Sequence, residues 1–276
     1  MAVRQIQPRE DSIFMRVSFV QFAPTLGDPE LTRERIKVLA KGFGDSDLVV
    51  LPELANSGYA FDSQKQAHSL AEESHSSPFV DMLIGLCRKN NQHIVTGLCE
   101  RAGDRLYNSA VVVNARGVIS TYRKLHLFMN EKDVFEPGDL GLPICTVGDC
   151  RVGLLICFDW RFPEVWRILS LKGADLVCHP SNLVTPGLAQ RVTPVYALVN
   201  KLFIVTANRT GAEGSLKFTG LSQTVDPHGD VLAKASAVEE VVRTVTVDVA
   251  LARDKQVTAR NHLLEDRRPD CYKALS

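Results

Sequence analysis

The feature that most constrains this chain is a set of short apolar runs that leave no room for a polar face. DLVVLPE (47–53), VGLLICF (152–158), ADLVCHPSN (174–182) and LFIVTAN (202–208) are almost continuously apolar. Strands of this kind are covered on both faces, which is the pattern of sheets sandwiched by helices. Amphipathic stretches lie between them. Asp28-Pro29 supplies an N-cap and an N1 proline for a helix that should turn Leu31, Ile36, Leu39 and Phe43 inward, and Ser77-Pro78 opens a second with Phe79, Met82, Leu83 and Leu86 inward. Pro163-Glu164 starts another, and a further helix covers about 187–201. FMRVSFVQF (14–22) alternates as a half-buried strand does, HIVTGLCE, LYNSAVVVNA and VISTYRK read as three strands, and Pro227-His228-Gly229 turns a hairpin before an edge strand at VVRTVTVDV. From about Phe14 to about Ala252 no linker, repeat or low-complexity tract intervenes. A single α/β domain follows, and two packed sheets with outer helices accommodate this many strands better than one sheet of ten or more.

Composition narrows the function classes. The 276 residues carry 32 Lys+Arg and 32 Asp+Glu, so net charge argues for neither a nucleic-acid nor an anionic-membrane partner. No apolar run reaches the ~18–20 residues that span a bilayer, and MAVRQIQPREDSIF lacks the apolar region of a signal peptide. Seven cysteines without a CxxC pair fit reduced thiols in a cytoplasmic setting.

Four polar residues interrupt the apolar strands at or just beyond their carboxyl ends: Glu53, Lys124, Cys157 and Asn182. Ligands of α/β proteins bind there. Taken singly, Glu53 reads as a loop residue, Lys124 as an exposed strand residue and Cys157 as a small buried hydrophobe. Their conjunction is what points to chemistry. Cys157 sits between a buried strand and a helix opening at Pro163, a nucleophile-elbow arrangement in which backbone N–H groups activate a thiol and stabilise an oxyanion.

Three segments carry a family resemblance: LPELANSGY (51–59), YRKLHLF (122–128) and ICFDWRFPE (156–164), continued by EKDVFEPGD (131–139), HPSNL (179–183) and VDVALARDKQ (247–256). Together they resemble the nitrilase superfamily of carbon–nitrogen hydrolases over about Met15 to Asp270. The resemblance implies a four-layer α-β-β-α sandwich at 15–270, preceded by an extension at 1–14 and followed by a tail at 271–276. It implies a Glu-Lys-Cys triad at Glu53, Lys124 and Cys157, and a second glutamate at Glu131, with Glu136 as its neighbour and competitor. Cys157 would be the nucleophile and Glu53 the proton shuttle, with Lys124 and the Phe158 N–H as oxyanion donors. Glu131 would orient substrate nitrogen or water.

Tyr59, Asn182, Trp160 and His179 fall in or beside these motifs as pocket-lining candidates, and Arg161 could meet a substrate carboxylate or form a structural ion pair. The implied activity is hydrolysis of a small linear aliphatic amide through a thioester, with small aliphatic nitriles or N-carbamoyl compounds as alternatives and a catalytically silent scaffold as the non-enzyme reading. No metal or organic cofactor is required. A Cys-His dyad through His126 or His179 would leave Lys124 idle, and Cys150, Cys157, Cys178 and His179 lack the spacing of a zinc site. GFGDSD (42–47) lacks the spacing of a dinucleotide loop. Relatives pair across a two-fold axis, and Trp166, Ile168 and Leu169 on the helix after Cys157 are the expected apolar surface of a homodimer or a multiple of it.

Overall fold

The computed structural model describes residues 12–275, so all of the 1–14 extension except Ser12–Phe14 lies outside the described residues. Two six-stranded sheets form the centre. The first contains β1 (Phe14–Gln21), β2 (Leu48–Val50), β3 (His93–Ala102), β4 (Arg105–Asn114), β5 (Gly117–Arg123) and, much later, β14 (Val241–Asp248), in the order β14-β1-β2-β3-β4-β5. The second contains β6 (Ile144–Val147), β7 (Cys150–Leu154), β8 (Leu176–Ser181), β9 (Phe203–Asn208), β12 (Gln223–Val225) and β13 (Val231–Lys234), in the order β13-β12-β9-β8-β7-β6. Small hairpins, β10 (Ala212–Glu213) with β11 (Leu216–Lys217) and β15 (Gln256–Thr258) with β16 (Asn261–His262), stand apart.

Each sheet has a parallel trio at its centre, β1-β2-β3 in one and β7-β8-β9 in the other, flanked by antiparallel neighbours. One continuous core joins the facing sheets, with Val17, Phe19, Leu48, Val50 and Val112 on one side and Val152, Leu154, Leu176 and Val205 on the other. Helices α1 (Pro29–Leu39) and α3 (Pro78–Asn90) close the outer face of the first sheet through Ile36, Phe79, Leu83 and Cys87. Helices α4 (Pro163–Leu171) and α5 (Leu188–Asn200) serve the second, and α2 (Gln64–Leu70) and the short α6 (Ala250–Arg253) complete the set. The result is the expected four-layer α-β-β-α sandwich in one domain. Among the described residues no helix is long and apolar enough to cross a membrane.

The anticipated helix starts are present. Asp28 caps α1 by accepting from the Leu31 N–H, Ser77 caps α3 through the Val80 N–H, and both helices begin with proline. Three local expectations change. Leu31 is exposed, because α1 is phased on Thr32, Ile36 and Ala40; the Thr32 hydroxyl is drawn inward to accept from the Thr25 N–H. The strand β1 alternates only over its first residues and is then wholly buried, since β14, β2, a helix layer and the second sheet surround it. On α4, Trp166 and Leu169 are fully buried in the core, leaving Ile168 and Leu171 outward; on the adjacent α5, Val195, Leu198 and Val199 are also exposed.

Two glycines let backbone segments approach closely behind the carboxyl ends of β2 and β5. A Cβ at Gly97 would lie 2.4 Å from Glu53 Cα and 2.3 Å from the Leu54 nitrogen, and one at Gly138 would lie 2.0 Å from the Arg123 carbonyl oxygen. Gly97 instead donates to the Pro52 carbonyl and accepts from the Ala55 N–H, while Gly138 donates to the Lys124 carbonyl. Gly97→Ala is therefore expected to destabilise the protein by about 1–3 kcal/mol, as overpacked cores do, and to displace Glu53. Denaturant unfolding alongside activity checks this; a variant with unchanged stability would show that the backbone here yields freely.

Candidate active site

Glu53 lies three residues past β2 in a segment braced on β3, followed by Leu54 at φ +47°. Lys124 is the first residue after β5, with its N–H bonded to the Asn108 carbonyl at 2.8 Å. Their side chains are completely enclosed. Lys124 Nζ donates to Glu53 Oε1 at 2.7 Å and to Glu131 Oε1 at 2.8 Å, so one ammonium bridges two carboxyl groups. Asn108 Nδ2 donates to the same Glu53 oxygen at 2.7 Å, whereas Glu53 Oε2 is buried and unpartnered. Glu131 sits in a one-turn 3₁₀ segment, Met129–Asp133; its Oε1 also accepts from the Tyr59 hydroxyl at 2.7 Å and its Oε2 from the Phe128 N–H at 3.2 Å.

Cys157 comes from the other sheet. It follows β7 by way of Leu155 and Ile156 and opens a 3₁₀ turn, Cys157–Arg161, at φ +40°. Non-glycine residues adopt such a backbone only where the surroundings enforce it. The ring of His179, from β8, donates Nε2–H to the Cys157 carbonyl at 2.9 Å. Asn182, one residue past β8, donates from Nδ2 to the Glu53 carbonyl at 3.0 Å and so ties the two sheets together beside the thiol; its Oδ1 is buried and unpartnered.

Electrostatics within this cluster are strongly coupled. Burial raises the Glu53 pKa and Glu131 adds to the rise, against the pull of Lys124 and Asn108. Burial opposes the Lys124 charge, yet Glu131 and Glu53 outweigh it and hold this pKa above the lysine value. The Cys157 thiol is pushed well up, first by burial and then by Glu53, with Lys124 acting the other way. Burial drops the His179 pKa to about 4, so its ring is neutral at ordinary pH.

The structure thus brings Glu53, Lys124, Glu131 and Cys157 together. Cys157, Phe158, Trp160, Arg161 and Asn182 line a small cavity of about 50 Å³, and Tyr59, Glu131, Phe61 and Phe135 line a neighbouring one of about 250 Å³; Phe128 and Val184 belong to both. Two other candidates, His179 and Glu136, fall elsewhere. His179 lies behind the elbow rather than in either cavity, Glu136 is exposed, and Arg161 stacks its guanidinium over Trp160 at 4.9 Å instead of forming an ion pair. His126 Nδ1 lies 2.7 Å from Asp159 Oδ1. Among the described residues no group of three His, Cys, Asp or Glu is disposed to hold a metal ion. Sequence reasoning missed Asn108, although the polar Asn-Ser pair inside the apolar LYNSAVVV was a signal for it.

Residues 16–256 match the carbon-nitrogen hydrolase family, and the chain belongs to that family. It is 43% identical over 260 residues to a nitrilase of Pyrococcus abyssi (94% of this chain, 99% of the relative) and 36% identical over 265 residues to an (R)-stereoselective amidase of Pseudomonas sp. (92% of each). An amidase from Nesterenkonia sp. superposes with a TM-score of 0.78 at 25% identity, covering 95% of this chain and 96% of that one. A glutamate variant of that amidase, with the same TM-score and identity and covering 95% and 97%, carries the acetamide moiety of fluoroacetamide on its active-site cysteine. The fold and the family make this protein an enzyme that hydrolyses carbon–nitrogen bonds.

Because the Cys157 pKa is raised, its thiolate fraction keeps growing above the ordinary thiol value of about 8.5. Alkylation of Cys157 by iodoacetamide, followed by mass spectrometry of its peptide, is expected to accelerate with pH beyond that point. Glu53→Gln removes a negative neighbour that raises the pKa, so its profile should move to lower pH. A wild-type profile that levels off near neutrality would show that the Lys124 charge outweighs burial.

Proposed function

We propose that this enzyme hydrolyses a small linear amide with an apolar acyl group to a carboxylic acid and ammonia, through a thioester on Cys157 and a Glu53-Lys124-Cys157 triad. The observation that carries this reading is the Glu53–Lys124–Glu131 hydrogen-bonded chain enclosed beside the thiol. Glu53 Oε2, unpartnered, is free to take the thiol proton as Sγ attacks the carbonyl carbon. The resulting oxyanion is met by Lys124 Nζ and the Phe158 N–H, each donor of this kind contributing about 3–4 kcal/mol to catalysis. The proton passes from Glu53 to the departing nitrogen, the C–N bond breaks, and ammonia leaves. Water then attacks the thioester as Glu53 takes its proton, the C–S bond breaks, Glu53 returns that proton to Sγ, and the carboxylic acid is released. Glu131 holds Lys124 opposite Glu53 and presents its edge to substrate nitrogen or to this water.

The cavity supports the substrate class. Phe61, Phe128, Val134, Phe135, Val184 and Leu216 make its wall apolar, and no lysine or arginine lines it. The Glu213 carboxylate at its rim is occupied by Arg209 and by the Tyr59 and Ala60 N–H groups. A neutral amide suits this wall; a carboxylated substrate would have only Arg161, in the smaller cavity, to meet it. The likeness to the Pyrococcus abyssi nitrilase favours a small aliphatic nitrile as second substrate, since the same thiol attack on a nitrile carbon gives a thioimidate. The outward Ile168 and Leu171 of α4 and Val195, Leu198 and Val199 of α5 support pairing of two copies through these helices.

Ammonia release from a panel of aliphatic amides, nitriles and ureido acids is expected to favour the amides. Cys157→Ala should abolish release, and hydroxylamine should divert turnover to a hydroxamate while an acyl adduct is found on the Cys157 peptide. An adduct on Cys178 or Cys150 would identify a different thiol. Glu131→Gln should lower kcat at least about 100-fold, in the range of a lost acid–base or oxyanion partner, with Glu136→Gln nearly silent. For assembly, light scattering should give at least a dimer, and Ile168→Asp with Leu198→Asp should dissociate it with loss of activity. A fully active 30.5 kDa monomer would overturn the interface.

A further inference from the structure

Asp159, two residues after Cys157, is fully buried and takes no part in the scheme above. Its Oδ2 accepts from the Ile156 N–H at 2.9 Å and from the Tyr122 hydroxyl at 2.7 Å. Its Oδ1 lies 2.7 Å from His126 Nδ1 and 3.3 Å from the His126 N–H. A carboxylate only accepts, so the His126 ring carries its hydrogen on Nδ1. The Tyr122 oxygen in turn accepts from the Leu125 N–H at 3.1 Å. These partners are not scattered: Tyr122 precedes Lys124 by two residues, Leu125 and His126 follow it, and Ile156 immediately precedes Cys157. His126 is fixed further by stacking on Phe162 at 3.6 Å.

One carboxylate therefore joins the Tyr122 hydroxyl before Lys124 and the His126 N–H after it, in the first sheet, to the backbone entering the elbow, in the second. On the opposite side of the elbow His179 holds the Cys157 carbonyl, so the left-handed turn is gripped from both directions. We propose that Asp159 is a positioning residue that sets the Lys124 ammonium and the Cys157 thiol in register, acting through Tyr122 and His126. This extends the proposed triad and rests on Cys157 as nucleophile. A shift of about 1 Å in such a pair is enough to cost about 100-fold in rate without touching substrate. Asparagine at 159 would set its N–H₂ against the Ile156 N–H or the His126 N–H, neither of which can accept, and one arm of the clamp would open.

Steady-state kinetics and thermal melts of Asp159→Asn, Tyr122→Phe and their combination test this, with Cys157→Ala as reference. Asp159→Asn is expected to lower kcat about 100-fold and leave KM within about threefold, because only the relative placement of the reacting groups changes. Tyr122→Phe, which removes a hydroxyl and keeps the ring, is expected to lose about tenfold in kcat, and the double variant to be no worse than Asp159→Asn, as groups acting as one unit behave. A folded Asp159→Asn with wild-type kcat, a loss expressed only in KM, or losses that multiply in the double variant would each overturn the proposal. Should Asp159→Asn fail to fold, Tyr122→Phe decides, and wild-type kcat there overturns it. An active Cys157→Ala would overturn the triad and this inference together, whereas an inert Cys157→Ala beside a fully active Asp159→Asn overturns this inference alone.

Discussion

A buried ammonium is the constraint around which the rest is arranged. Removing Lys124 from water costs several kcal/mol unless partners replace its hydration, and two carboxyl oxygens at 2.7 and 2.8 Å do so. Those carboxyls bring their own demands. Glu53 takes a further bond from Asn108, and Glu131 from Tyr59 and the Phe128 N–H. Tyr59 depends on Glu213, which caps its N–H and is itself paired with the buried Arg209. Each satisfied group passes the requirement outward to another segment, so the positions of four separated stretches of chain are set by one charge.

Strain is concentrated in the same place. Among the described residues six that are not glycine have positive φ, and three of them adjoin the cluster: Leu54 next to Glu53, Met129 two before Glu131, and Cys157 itself. Such conformations persist where surrounding bonds over-determine them. Here those bonds are the Ala55–Gly97 and Gly97–Pro52 pairs, the Phe128 N–H on Glu131, and the His179 ring on the Cys157 carbonyl.

The duplicated sheet pattern explains how opposed chemical types can meet. Glu53 and Lys124 come from carboxyl ends in one sheet, Cys157 and Asn182 from carboxyl ends in the other. Face-to-face stacking puts both sets at a shared edge, and the bond from Asn182 to the Glu53 carbonyl closes the seam. The apolar layer between the sheets, from Val17 and Leu48 to Val152 and Val205, excludes water below the site. That exclusion raises the Glu53 and the Cys157 pKa values together.

By itself the sequence determined most strands of the two sheets, the four longer helices and their order, while α2, α6, β6 and the small hairpins carried no comparable pattern. Doubly apolar runs have no solvated face, and proline and capping residues fix helix starts within a turn, so DLVVLPE, VGLLICF and Asp28-Pro29 could be placed without coordinates. Glu53, Lys124 and Cys157 were legible because three motifs stood in register, and Glu131 was implied by the resemblance, with Glu136 as its competitor. Helix phase was less so: Leu31 and Trp166 look alike as apolar residues, and only the packing partner decides that one is exposed and the other enclosed. The tertiary structure alone decided that Lys124 bridges two carboxyls, that His179 holds a carbonyl instead of lining a cavity, and that Asn108 and Asp159 complete the site. These are pairings across distant segments and between two sheets, and local pattern carries no information on which distant donor will face which acceptor.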